Sequence, residues 1–247
     1  LFLQSKIKRC LMNYKKISRY IVLGILFFLP VTFLLMLYPA THNYAPLDIV
    51  NESVLDLQSF SSNSEEPIVL KEHITVLGFF GEDLVKNNTV ALNLKELVYD
   101  KFKGFKKFQI VILMPKGTEI KAEKLKNEIS SYEDLRFWHF VFGESNAIQD
   151  IFNSLKSKVN LDEDLSSSKV FIVDKDLNQR GRLDDRTEKE LEKNKPIYGL
   201  YSYDCIEVSE IKNKMSDDLR ILLTEYRQKR KGEFNSDTRR AGDLKEE

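Results

Sequence analysis

The chain has 247 residues, and its 38 Lys and Arg balance its 38 Asp and Glu, so the formal net charge at pH 7 is zero. This length accommodates one domain of ordinary size with additional segments, and the balanced charge gives no support for a nucleic-acid partner. Cys10 and Cys205 are its two cysteines, so it has no Cys-x-x-Cys or Cys-x-x-x-Cys pair for dithiol chemistry.

The N-terminal part carries its charge unevenly. Residues 1–19 contain six Lys or Arg and no Asp or Glu, whereas residues 20–38 form an uncharged, mostly apolar stretch of 19 residues. Because a helix needs about 20 such residues to cross a ~30 Å hydrocarbon core, we predict a transmembrane helix over 20–38 that inserts into the lipid bilayer. A cleaved signal peptide and a buried soluble helix are the alternatives.

The basic flank predicts the orientation of this anchor. Lys and Arg accumulate on the cytoplasmic side of membrane helices, so residues 1–19 are expected in the cytoplasm. The C-terminal domain is then periplasmic, in a protein that crosses the inner (plasma) membrane once. Cys10 and Cys205 would lie on opposite sides of the membrane and could not form a disulfide with each other. Residues 1–11 precede a Met that resembles a natural start, and one hypothesis is that they are a non-native extension.

Residues 39–67 are predicted to be a tether, because Asn, Ser, Pro and Glu dominate and apolar residues are scattered. Residues 68–231 are the predicted domain, in which apolar runs typical of buried strands alternate with segments of helical apolar spacing. The predicted strands are 74–80, 108–114, 137–142, 169–174 and 179–183. The predicted helices are 89–102, 121–132 and a third that begins at residue 145 or 146 and ends at 155. This alternation predicts an α/β fold with a mainly parallel sheet, flanking helices and a closing antiparallel hairpin.

The C-terminal part fits this plan less well. Residues 185–195 are highly charged and are predicted to form a solvated loop or short helix. Residues 197–208 are rich in Tyr and β-branched residues, which favours another strand. A last helix is predicted to open at Ser209 or Ser216, and residues 232–247 are predicted to be a disordered tail because they are charged and poor in apolar residues.

Three segments of the domain carry a resemblance to a known family. They are ITVLGFFG at 74–81, FWHFVFG at 137–143 and VFIVDKDLNQRGRLD at 170–184. They resemble the first core strand, the Trp-containing strand and the closing hairpin of the Sco/SenC family, which are membrane-anchored, thioredoxin-like proteins that serve copper insertion into cytochrome oxidase. The likeness spans roughly residues 68–226 and includes the N-terminal anchor, so it implies a thioredoxin-like fold.

The functional residues of that family are not matched. The family places Cys-Pro-x-x-Cys-Pro-like thiols directly after the first core strand, where this chain has residues 81–88 without a Cys. Its copper-binding His lies shortly before the closing hairpin, where this chain has Ser near Ser166. Because copper(I) prefers thiolate and imidazole ligands, the resemblance implies shared descent without the family's chemistry. We therefore predict no catalytic residue, no metal ligand and no cofactor site.

Candidate partner contacts lie in the segments outside the family plan. Tyr198, Tyr201 and Tyr203 are either one face of a strand or an aromatic contact patch, since Tyr is enriched at interfaces. Arg227 and Arg230 belong to the basic end of the last helix. They either complement the helix dipole in solvent or contact an acidic partner or anionic lipid headgroups.

Four other residues have an ordinary interpretation and a chemical alternative. Cys205 is interpreted as a half-buried packing residue, with a reactive thiol or an intermolecular disulfide as the alternative. Glu82 and Asp83 are interpreted as polar loop residues, with weak cation binding or acid–base chemistry as the alternative. His139 is interpreted as a packing residue in a strand, with copper ligation as the alternative.

The leading hypothesis is a non-enzymatic, membrane-anchored accessory protein with a degenerate Sco-like thioredoxin fold. It would bind a membrane or periplasmic protein, and the resemblance links it to cytochrome oxidase assembly. The alternatives are a thiol or redox enzyme that uses Cys205 alone and a structural module of the cell envelope.

Overall fold

The computed structural model describes four stretches of the chain, without the side chains of residues 84–86. The stretches are 20–36, 46–63, 67–130 and 134–232. The predicted cytoplasmic segment with Cys10 and the predicted tail beyond Gly232 lie outside these described residues. The chain divides into two compact units, Leu1–Tyr44 and Ala45–Glu247.

The first unit contributes one described element, helix α1 over 20–36. Its large apolar side chains are exposed, among them Leu26 and Phe27. None of the helices within the described stretches combines the length and the hydropathy that crossing a membrane requires. The predicted anchor over 20–38 is helical over residues 20–36. Its last two residues lie outside the described part of the chain.

The second unit contains strands and helices in alternation. The strands are β1 (Asp48–Asn51), β2 (Ser61–Ser62), β3 (Ile74–Phe80), β4 (Phe108–Pro115), β5 (Trp138–Gly143), β6 (Ser166–Val173), β7 (Gln179–Gly181) and β8 (Tyr203–Asp204). The helices are α2 (Leu84–Leu94), α3 (Asp100–Phe102), α4 (Glu119–Ser130), α5 (Ser145–Asn153), α6 (Glu188–Glu192), α7 (Val208–Glu210) and α8 (Ser216–Lys231). π-Helical turns join α2 to α3 and α7 to α8.

The sheet has the order β1-β7-β6-β3-β4-β5-β2, and β8 pairs with β6 outside this path. β3, β4 and β5 are parallel to one another, and β6 runs antiparallel to both β3 and β7. Parallel neighbours require a crossover, which α2 with α3 provides from β3 to β4 and α4 provides from β4 to β5. The predicted α/β fold with flanking helices and a closing hairpin is confirmed. The prediction of a mainly parallel sheet is wrong: among the described strands only the β3–β4 and β4–β5 pairings are parallel, because β1, β2, β6, β7 and β8 all pair antiparallel.

Both faces of the central strands are buried, as the continuous apolar runs predicted. On one face, Val76 and Phe80 of β3 lie in a core that also includes residues of α2, α4 and α8. On the other face, Leu77 and Phe79 pack with Phe152 of α5 and with apolar residues of the segment before β3. Because successive strand residues point to opposite faces, an all-apolar strand such as β3 suits a sheet that is covered twice.

Part of the predicted tether 39–67 belongs to the second unit. β1 pairs with β7 and β2 pairs with β5, and Leu47, Val54 and Leu57 are at most 2% exposed. The apolar residues that looked scattered in sequence are therefore core residues. The prediction of a tether through this segment is corrected, because its backbone completes both edges of the sheet.

The predicted strand 197–208 is reduced to β8. Leu200 makes an isolated bridge to Arg182, and the carbonyl of Tyr201 accepts a hydrogen bond from the side chain of Gln179, at 2.8 Å. The segment is thus held by side chains and single backbone contacts where a continuous ladder was expected. Helical structure begins at Val208 and continues into α8.

A buried ion network joins the closing hairpin to α8. Arg180 of β7 donates to Asp174 at 2.9 Å, to Glu225 of α8 at 2.8 Å and to the backbone oxygen of Leu47 at 2.9 Å. The three charged side chains are no more than 1% exposed. Burial alone would lower the pKa of Arg180, but the charges of Glu225 and Asp174 raise it, so the guanidinium stays charged.

A second cluster lies two residues further along the chain. Arg182 donates to buried Asp218 through Nη2, at 2.6 Å, and to Asp185 through Nη1, at 2.8 Å. The hydroxyl of Tyr203 donates to the same Asp218 at 2.7 Å, and Lys214 pairs with Asp185. Two arginines, one on β7 and one directly after it, therefore bind α8 at positions seven residues apart, which fixes the helix against the sheet.

We expect Arg180→Met to lower the free energy of unfolding by about 3–5 kcal/mol, because it leaves two buried carboxylates without their cation. Urea denaturation of the full-length chain measures the change. The control is Arg220→Met, whose ion pair with Asp217 on the same helix is exposed and is expected to contribute less than ~1 kcal/mol. Equal effects of the two substitutions would contradict a structural role for the buried network.

Candidate functional site

The loop after β3 is the place where the resembled family carries its thiols. Here it begins with Gly81 in a left-handed conformation, φ 58°, and a Cβ at this position would collide with the backbone oxygen of Asp164. Asn87 of α2 is buried and donates to the backbone oxygens of Phe80, at 2.6 Å, and Asp83, at 3.0 Å. The loop is therefore tied to the end of its own strand and closely apposed to the segment before β6.

The side chains around this loop are of mixed charge. A pocket of about 400 Å³ is lined by Glu82, Asp83, Asn88, Lys121, Lys124, Leu125 and Glu128. Lys121 donates to the backbone oxygen of Glu82 at 3.0 Å. Within the described stretches, no group of three or more His, Cys, Asp or Glu is arranged to hold a metal ion. The arrangement favours the interpretation of Glu82 and Asp83 as polar loop residues.

A buried serine lies near the position where the resemblance places the family's copper-binding His. Ser166, at the start of β6, is 3% exposed. Its hydroxyl donates to Asp164 at 2.6 Å, and its backbone N–H donates to the same carboxylate at 3.3 Å. Asp164 therefore serves as a local acceptor that shapes the turn into β6. A hydroxyl in this role offers neither the imidazole nor the thiolate that copper(I) prefers.

His139 and His73 lie apart from this loop. His139 is half-buried on β5, beside Trp138, and lines a pocket of about 380 Å³. Burial, with a smaller contribution from Lys126, lowers the pKa of His139 to about 4, so the imidazole is neutral at pH 7. His73 contacts the backbone oxygen of Lys71 at 3.1 Å. His42 lies outside the described residues.

Cys205 is fully buried, and not half-buried as the sequence suggested. Its N–H donates to Ser168 of β6 at 2.9 Å, and its carbonyl accepts a hydrogen bond from Asn93 of α2 at 2.8 Å. Burial raises the pKa of its thiol well above the ordinary value, and the charges of Asp204 and Glu210 add to this. Because the thiolate is the nucleophilic form, Cys205 is in the environment of a packing residue.

The three candidate tyrosines separate into two environments. Tyr198 is 40% exposed, and its hydroxyl donates to Glu190 of α6 at 2.8 Å. Tyr201 is half-buried, with the ammonium groups of Lys156 and Lys158 at 4.6 and 5.2 Å from its ring centroid.

The prediction that Tyr203 contributes to a contact patch is wrong. Tyr203 is 0% exposed and lies in the core. Burial raises the pKa of its phenol well above the ordinary value, and the charge of Asp218 adds to this. The side chain is satisfied by its hydrogen bond to that carboxylate, so Tyr203 cannot contribute to a contact patch at the surface.

Arg227 and Arg230 are exposed on α8, as predicted, but they line a pocket that the sequence did not indicate. Its other cations are Lys106, Lys107 and Lys175, which come from the loop before β4 and from the turn after β6. The basic run at residues 103–107 is visible in the sequence, but only the fold places it beside α8. Tyr201 does not line this pocket; the cations beside its ring are Lys156 and Lys158.

No protein-family profile matches the chain, and none of the curated proteins matches it significantly. Solved structures do show a similarity. A SCO1/SenC family lipoprotein from Bacillus anthracis is 16% identical, with 71% of this chain and 96% of that chain covered and a TM-score of 0.46. The soluble domain of Sco1 from Bacillus subtilis is 15% identical, with 70% and 91% covered and a TM-score of 0.39.

A third similar structure is an oxidoreductase. The thioredoxin domain of a thiol-disulfide oxidoreductase from Bacteroides vulgatus is 14% identical, with 61% of this chain and 96% of that chain covered and a TM-score of 0.38. These values describe a distant likeness, and no residue role is carried over from these proteins.

Proposed function

We propose that this chain is a membrane-anchored accessory protein that acts by binding a membrane or periplasmic protein partner and not by thiol or copper chemistry. One observation carries this proposal: the loop after β3, where a thioredoxin-like protein of the resembled family would hold its thiols, has no Cys and lies close against the segment before β6. The single described thiol, that of Cys205, is buried elsewhere in the fold with a raised pKa.

We expect the full-length protein to be inactive in reducing insulin disulfides and to retain no stoichiometric copper(I) after gel filtration against a competing chelator. The physical reason is that Cys205 alone can neither form an internal disulfide nor supply a thiolate pair. The comparison is with Cys205→Ser, which should behave as the wild type does. Activity or bound copper that disappears in Cys205→Ser would instead support the single-thiol enzyme.

The anchor is supported by the uncharged stretch 20–38 and by the helical conformation of residues 20–36 with outward-facing apolar side chains. The basic residues before it support a cytoplasmic N-terminus. In this arrangement the second unit is extracytoplasmic.

We expect the chain to remain in the membrane pellet after alkaline carbonate extraction, because an inserted apolar helix is not released by raised pH. In intact spheroplasts, a membrane-impermeant thiol reagent should label Cys205 after mild unfolding and should leave Cys10 unlabelled. Release into the supernatant would refute the anchor, and labelling of Cys10 alone would reverse the orientation.

Tyr198 and Tyr201 support a contact patch for the partner. They are the two candidate tyrosines with solvent-accessible rings, and the cations beside Tyr201 hold its ring in place. Aromatic residues of this kind often dominate protein interfaces.

We expect Tyr198→Ala with Tyr201→Ala to reduce recovery of the cross-linked partner from detergent-solubilised membranes by about tenfold or more. The control is Ile120→Ala, which removes another exposed apolar side chain, on α4. Thermal unfolding of both variants checks that the domain is intact. Unchanged recovery in the double variant, or the same loss in the control, would remove these residues from the contact surface.

A further inference from the structure

A small basic pocket lies at the end of the sheet where β3 and β4 begin. Its volume is about 240 Å³, and five of its ten lining residues are Lys or Arg. The cations are Lys106, Lys107, Lys175, Arg227 and Arg230. Since the net charge of the whole chain is zero, this concentration of positive charge is a local feature.

Three separate segments supply the cations of the pocket. Lys106 and Lys107 come from the loop before β4, Lys175 from the turn after β6, and the two arginines from one face of α8, three residues apart. Apolar and aromatic side chains complete the lining: Ile74, Phe105, Leu223 and Tyr226. Tyr226 is positioned by its hydrogen bond to Asp176, at 2.9 Å, and by Lys175, whose Nζ is 4.8 Å from the ring centroid.

The positive charges of the pocket are only partly offset by carboxylates of the described residues. None of the five cations forms an ion pair with a described Asp or Glu, and the nearby Glu225 is already paired with Arg180 and Lys229. The pKa of Lys175 is lowered by burial and, after that, by the positive charges of Lys107 and Arg230, while the carboxylates of Glu72 and Asp176 act in the opposite direction. These cations are therefore close enough to repel one another.

The helix dipole explains only part of this arrangement. Cations at the end of α8 are stabilised by the negative end of that helix, which accounts for Arg230. It does not account for the three lysines, which belong to other segments and converge on the same concavity. An anion bound between them would remove the repulsion.

We propose that this pocket binds a phosphate-bearing anion. Guanidinium groups form paired, charge-assisted hydrogen bonds with phosphate oxygens, and the apolar side chains can contact the carbon part of a phosphorylated molecule. At about 240 Å³ the pocket is smaller than the roughly 300–1,000 Å³ of sites for drug-sized ligands. It therefore fits a single phosphate group with a short organic part, such as a small phosphate monoester or a phospholipid headgroup.

The pocket is independent of the proposed function. Ile74 opens β3, whereas the loop without thiols follows its last residue, Phe80, at a distance of about 20 Å along the strand. Tyr198 and Tyr201 are not among its lining residues. A failure of the phosphate site would leave the partner-binding proposal unchanged, and the reverse also holds.

The test is calorimetric titration of the full-length protein in micelles of an uncharged detergent. The soluble probes are inorganic phosphate and glycerol 3-phosphate, and a second arm adds phosphatidylglycerol to the micelles. We expect a dissociation constant below about 1 mM for at least one probe. Binding of the soluble probes identifies a free phosphorylated molecule as the source, and binding confined to phosphatidylglycerol identifies a lipid headgroup.

The matched variants are Arg227→Gln with Arg230→Gln, and Lys106→Gln with Lys107→Gln. Each pair should weaken binding by about tenfold or more, and thermal unfolding confirms that each variant folds. The control is Arg220→Gln, an exposed arginine of α8 that pairs with Asp217 and should leave the affinity within about twofold. Absence of binding in every arm, full affinity in both double variants, or an equal loss in Arg220→Gln would overturn the proposal.

Discussion

The C-terminal third of this protein depends on two arginines that are neutralised by carboxylates of α8. Arg180 meets Glu225, and Arg182 meets Asp218, so the helix is fixed to the closing hairpin at two points along its length. A buried ion pair often contributes little net stability compared with well-packed apolar residues. Removal of one partner is nevertheless strongly destabilising, because the other charge then remains unpaired in a poorly solvating interior. The network therefore specifies one position of α8 against the sheet. The position of that helix in turn determines where Arg227 and Arg230 project and brings Tyr203 into the core.

The charged side chains of this region therefore fall into two groups: those in buried ion pairs that hold α8 in place, and those at the surface that are available for binding. Three carboxylates form buried ion pairs with Arg180 and Arg182, so they are not accessible at the surface: those of Asp174, Asp218 and Glu225. Arg227 and Arg230 lie on the same helix but form no ion pair with a described Asp or Glu. On the opposite end of β3, the loop that begins at Gly81 is held by Asn87 and lies against the backbone near Asp164. The closely packed loop lies at that end of β3, and the pocket with the five cations lies at the other.

The parts of the fold that could be predicted from sequence are those with a strong local pattern. β3 was predicted with its observed bounds, 74–80, because seven apolar or small residues follow a polar loop and precede a glycine. β1 and β2 were missed because each is very short and pairs with a strand far away in sequence, so no local periodicity records them. Tyr203 could not be distinguished from Tyr198 and Tyr201, since its burial depends on Asp218, fifteen residues later. The basic end of α8 could be predicted because its residues are consecutive in sequence. The pocket could not, because only the folded sheet brings Lys107 and Lys175 close to Arg230.

The contacts of Arg180 also bear on when the domain can fold. Its guanidinium binds the backbone of Leu47, 133 residues earlier, and Glu225, 45 residues later. β1 is an edge strand whose partner, β7, is made more than 120 residues afterwards. Folding is slow when native contacts join distant parts of a chain, because loop closure costs entropy before those contacts form. The early segment therefore has no sheet partner until β7 has been made. The two arginines likewise have no carboxylate from α8 until that helix has followed. Completion of this domain is consequently a late event in its folding, because it requires both the first strand and the last helix of the second unit.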